Sequence, residues 1–115
     1  MDSIAVRDGL ASIFPELAER FAVSDFRDDD GALTCCGAFA ECSHFVRERL
    51  ADLSPAQLSR LGSFVSECMS ASDGEVDTAA AACFLENLAY EPAAEALAPF
   101  LSGRAIWFLR QCDAA

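Results

Sequence analysis

Cysteine and histidine are the side chains best suited to grip a metal ion or carry a nucleophilic step. Cys35, Cys36, Cys42 and His44 lie close together in this chain. Their spacing argues against both roles. The segment from about Ala32 to Asp52 reads as a helix, on which Cys42 and His44 project about 200° apart, and the spacings that converge on an ion are absent. His44 has Glu41 three residues before it and Glu48 four after it. A nearby carboxylate raises a histidine pKa and equips it as a proton donor or pH sensor. An exposed helix face with ordinary local pairs, Arg47 and Arg49 included, is the simpler account. No serine or cysteine sits in a nucleophile elbow, and no glycine-rich phosphate loop is present. No catalytic residue, metal or cofactor is therefore expected.

The acidic residues point to a surface. Asp28, Asp29 and Asp30 precede one expected helix; Asp73, Glu75 and Asp77 precede another. Carboxylates in such places offset helix dipoles and cap first turns. Yet 19 Asp and Glu stand against 8 Arg and no Lys in 115 residues, a formal net charge of −11. A chain so charged has no basic excess with which to release counterions from nucleic acid or to meet anionic lipid. A basic protein is the partner that its field favours. If successive helices alternate in direction, the two acidic helix starts share one end of the molecule. The apolar anchor for such a partner is sought among Tyr90, Phe100, Trp107 and Phe108. The run Ile106-Trp107-Phe108-Leu109 places apolar groups around more than one helix face, so it serves the core, a partner or a homodimer.

Those side chains must be held by a fold, and the composition predicts one. A hydrophobic fraction of 53% with nine Phe is far too high for a disordered acidic tail. The length suits one domain, residues 1–115, with a core that needs no staples. Pro and Gly fall between periodic segments and β-branched residues are few, so helices are expected throughout and no sheet. The first spans Asp2 to about Phe14, the second Pro15 to about Val23, with Phe14, Leu17 and Phe21 on one face. An acidic loop, Ser24 to Gly31, leads to the helix of 32–52, whose Cys35, Phe39, Cys42, Val46, Leu50 and Leu53 fall within about 80° of arc. Ser54, Pro55 and Gln57 form a clear start signal for the next helix, which buries Leu58, Leu61, Val65, Cys68 and Met69. A turn at Ser72, Asp73 and Gly74 precedes a helix of about Glu75 to Tyr90. Two short helices, Pro92 to about Leu101 and Gly103 to about Cys112, complete an all-α array of five or six antiparallel-paired helices, or a short solenoid of helix hairpins.

The amino terminus carries no cationic stretch followed by an apolar core, and the longest hydrophobic run, Ala79 to Leu85, falls far short of the ~20 residues of a membrane span. A cytoplasmic location is expected, with six cysteines present as reduced and mostly buried thiols. Arginine without lysine, beside many alanines, is the usage of a GC-rich bacterial genome.

The stretch Ser72-Asp73-Gly74-Glu75-Val76, with Ala80 to Leu88 and above all Phe84-Leu85-Glu86-Asn87-Leu88, resembles a family of small acidic all-helical bacterial proteins. Most are uncharacterised, and some look like immunity proteins encoded with polymorphic toxins. The resemblance covers about residues 55 to 101, and implies a noncatalytic, partner-binding role. In its signature, Phe84, Leu88 and Ala80 share a buried stripe. Asn87 is expected to be a buried hydrogen-bonding residue, and Glu86 to face solvent, an arginine such as Arg104, or the partner. The expected function is a protein-binding module, an immunity protein against a cationic toxin. A helical adaptor that self-associates through Trp107 is the alternative.

Overall fold

Three of the helices begin where a side chain satisfies a first-turn backbone N–H group. The computed structural model describes residues 1–70 and 74–114. Helix α1 (Ser3–Ile13) is capped by Asp2, whose Oδ1 accepts from the Ala5 N–H at 2.9 Å. It stops at Phe14, an extended residue, because the following Pro15 excludes the helical conformation there. Helix α2 (Leu17–Val23) follows after three residues. Helix α3 (Cys35–Arg49) is capped by Thr34, whose Oγ1 accepts from Gly37 N–H at 2.9 Å, and a 3-10 turn (Leu50–Asp52) ends it. The expected start near Ala32 is displaced to Cys35, where Thr34 supplies the cap in place of the acidic-loop carboxylates expected to do so. Helix α4 (Pro55–Ser70) opens with the expected reciprocal cap. Gln57 N–H donates to Ser54 Oγ at 3.1 Å, and Ser54 N–H donates to Gln57 Oε1 at 2.9 Å.

Helix α5 departs from the expected uniform helix. It starts as an α-helical segment, Gly74–Ala79, widens into a π-helix over Ala80–Leu85, and ends as α-helix over Glu86–Leu88. Helix α6 (Pro92–Leu97) continues into a 3-10 turn (Ala98–Phe100), and α7 (Gly103–Ala114) closes the chain. Among the described residues the only strand-like pairing is one isolated bridge, Arg27 to Leu33. The turn expected at Ser72 and Asp73 lies outside the described residues.

The architecture is the expected all-α array, though with seven helices among the described residues where five or six were expected, and α3 lies at its centre. Helix α3 packs on the π segment of α5, α1 on α3 and α4, and α4 on α7. Phe14, Phe39, Phe45 and Phe84 are fully buried, with ring centroids 5.2 Å apart for Phe14 and Phe45 and 6.0 Å for Phe39 and Phe84. Both are tilted contacts of the kind that aromatic quadrupoles favour. The guanidinium groups of Arg20 and Arg49 each lie 5.7 Å from the Phe45 ring centroid, and Arg20 also pairs with Glu48. Gly62 permits a close crossing against backbone: a Cβ there would stand 2.5 Å from the Phe100 carbonyl oxygen. A Cα radius of gyration of 13.0 Å matches the ~13 Å of a compact chain this long, so the solenoid alternative does not describe it.

One expectation about cysteine is corrected. Cys36 and Cys83 are joined by a disulfide that ties the first turn of α3 to the π segment. The π segment presents Cys83 toward α3, where the exposed Cys36 meets it. Cys35, Cys42 and Cys68 are buried as expected, and Cys112 is half-buried.

Candidate functional site

The acidic loop between α2 and α3 is organised by one arginine that sequence reasoning passed over. Arg27 donates from Nε to Ser24 O at 3.1 Å, from Nη1 to Gly31 O at 3.0 Å, and from Nη2 to Phe21 O and Ala22 O at 2.5 and 3.1 Å. Its charge faces carbonyls at the end of α2, where the helix dipole favours a cation. Asp28 works inside the loop. Its Oδ1 accepts from the N–H groups of Asp30 and Ala32 at 2.9 and 3.0 Å, around a left-handed Gly31 with φ of 81°. Asp29 and Asp30 are exposed and form no ion pair among the described residues.

The second acidic cluster is divided by tertiary packing. Asp73 lies outside the described residues. Glu75, exposed, borders an open groove of about 310 Å³ that is also lined by Thr34, Cys35, Cys36 and Cys83. The starts of α3 and α5 therefore share one end of the molecule, as the alternating helix directions imply. Asp77 turns away from that end and pairs with Arg104 Nη1 of α7 at 3.0 Å, its side chain only 15% exposed. Arg104 thus serves Asp77 and not Glu86, for which it was one candidate.

Glu86 is exposed, and so is Asn87, which corrects the expected burial. Asn87 nonetheless acts structurally, donating from Nδ2 to the Cys83 carbonyl in the π segment at 2.8 Å and to the buried Ser43 of α3 at 3.5 Å. Glu86 lies in a depression of about 300 Å³ between α5 and α7, bordered by Ala82, Arg104, Trp107 and Phe108. A second depression continues from Glu86 and Phe108 to Tyr90 and Cys112. Trp107 is 62% exposed and Tyr90 70%.

Tyr90 sits in the left-handed region at φ 68°, a conformation that glycine ordinarily supplies where a helix ends. Its hydroxyl donates to the Cys112 carbonyl of α7, which closes one end of the groove. The signal was present in the sequence: Pro92 requires an extended Glu91, and no glycine is available to reverse the chain before it.

Three of the thiols outside the bridge are held toward the protonated form. Burial, reinforced by Glu67, pushes the Cys68 thiol up to about 12. Burial likewise raises Cys42, with Arg20 opposing it, and raises Cys112, helped by Glu86 and Asp113. Each thus favours the unreactive thiol form. Among the described residues no three His, Cys, Asp or Glu side chains converge as metal ligands, and no helix is long and apolar enough to cross a membrane.

No curated protein and no solved structure matches this chain significantly. A family model does match, and it reaches through the amino-terminal third that showed no resemblance by motif. Over residues 7–103 it takes in the acidic loop, both halves of the disulfide and the whole of α5: the chain belongs to the family described as Domain of unknown function (DUF7674).

Proposed function

We propose that this chain is a noncatalytic protein-binding module whose partner is a basic protein, acting as an immunity protein does, by covering a cationic toxin. The commitment of Arg27 carries the reading. Its guanidinium is taken up by backbone carbonyls and pairs with neither Asp29 nor Asp30, whose side chains stay exposed. Across the chain the same imbalance amounts to −11. Such a field accelerates encounter with a cationic surface and rejects acidic competitors. The Phe84–Leu88 run, which resembles that of a small helical family with some immunity-like members, is consistent with the same role.

The test is capture by the tagged chain in its native cells, followed by kinetics with the purified partner. A basic protein should be retained at low salt, and Asp29→Asn with Asp30→Asn should slow its association without altering the fold. An acidic partner, or an unchanged low-salt rate, refutes the reading. Exposure of Trp107 favours a second reading, a self-associating helical adaptor. Light scattering separates the two: a salt-insensitive dimer lost in Trp107→Ala supports the adaptor.

A further inference from the structure

We propose that the groove between α5 and α7 is where the basic partner docks, with an arginine or lysine of an amphipathic segment seated between the Glu86 carboxylate and the Trp107 indole. The inference rests on the reading of a basic protein as partner and adds the place and mode of contact. Three observations lead there.

The groove is aromatic and open. Phe108 lines both of its depressions, while Trp107 and Tyr90 are the exposed large aromatics of this face. Exposed Trp and Tyr beside a carboxylate combine the two attractions a guanidinium or ammonium can satisfy together, an ion pair and a ring face.

Its charge is negative and its own cation is spent. Arg104, which borders the groove, is paired with Asp77. Among the described residues Glu86 forms no ion pair, and past Tyr90 the surface continues into Glu91, Glu95 and Asp113. A second copy of the chain would bring the same carboxylates against these. Charge therefore selects a basic occupant over a homodimer.

The walls are held in place. The Tyr90 hydroxyl bonds the Cys112 carbonyl, and Asn87 ties the end of α5 back to Cys83 and Ser43. A groove fixed before binding loses little freedom on docking.

Trp107 is the only tryptophan, so its fluorescence reports on this groove alone. The probes are a synthetic amphipathic helix of Arg and Leu and its Glu/Leu counterpart. With the full chain, the Arg peptide should shift Trp107 emission saturably and the Glu peptide should not. Glu86→Gln should weaken the Arg peptide by about fivefold or more, the scale of one charge-assisted contact, with an unchanged melting temperature. Asp29→Asn with Asp30→Asn should leave the emission shift intact.

Arg-peptide binding by calorimetry with Trp107 emission unmoved, or with Glu86→Gln binding as tightly as the parent, would overturn the groove while sparing the basic-partner reading. Failure of both peptides to bind, together with unaltered partner kinetics in the acidic-loop variant, would remove both. An emission shift that follows protein concentration without peptide, matched by a dimer in light scattering, would assign the groove to self-association instead.

Discussion

Opening the Cys36–Cys83 bridge should cost this protein a large part of its stability, and the size of the loss follows from the loop it closes. The cysteines are separated by 47 residues, so by loop-closure entropy the bridge destabilises the unfolded chain by about 4 kcal/mol at 25 °C. For a domain of this length that corresponds to a fall in Tm of about 15 °C. Cys36→Ser with Cys83→Ser removes the bridge without altering charge, and Cys36 is exposed, so serine there buries no new polar group. Cys83 is half-buried, and its hydroxyl replacement adds little to the loss. The assay is thermal and urea unfolding of the parent, the parent under reductant, and the double variant. The last two should coincide. A loss below about 1 kcal/mol in both would refute the entropic reasoning, because the unfolded chain would then gain almost no freedom from release. Intact mass after denaturation without reductant checks the bridge itself.

Gly62→Ala should destabilise by about 1–3 kcal/mol in urea titration, since the new Cβ meets the Phe100 backbone and not a yielding side chain; a neutral result would place that crossing wrongly. Tyr90→Val should lose at least about 1 kcal/mol more than Tyr90→Gly, because a β-branched residue resists the left-handed conformation; equal losses would refute it. Cys68, unshifted near 9 when unfolded and about 12 when folded, stays protonated in the native state. Its contribution to stability is therefore complete below pH 9 and declines as pH rises toward 12. Native Cys68 should resist iodoacetamide at pH 8 by mass spectrometry, and labelling at the unfolded rate would contradict this.

Local chemistry was legible and long-range chemistry was not. The Ser54–Gln57 cap could be read because both partners lie within one turn, and the stripe from Cys35 to Val46 because helical period alone decides which residues face inward. Cys36 and Cys83 carry no such local mark, since what joins them is the packing of α3 on α5. The π segment was invisible for a related reason: a run of small alanines at 79–82 fits an α or a wider turn equally well. Glu75 and Asp77 looked like one cluster in the sequence, but Arg104, distant in the chain, draws Asp77 to the other side. The role of Arg27 was obscured by its neighbours, whose negative charge invited an ion pair where the fold uses carbonyls.

The wide turn at Ala80–Leu85 also functions as a register device. A π turn accommodates one residue more than an α-helix would, so the chain absorbs an insertion there without shifting the ends of the helix. Were the same residues wound as plain α-helix, the two flanks would instead rotate by about 100° relative to one another. Cys83 could then face Cys36, or Glu86 could face α7, but the two alignments would no longer coincide. The wide winding of an otherwise featureless alanine tract thus lets the covalent tie and the acidic groove exist on the same helix.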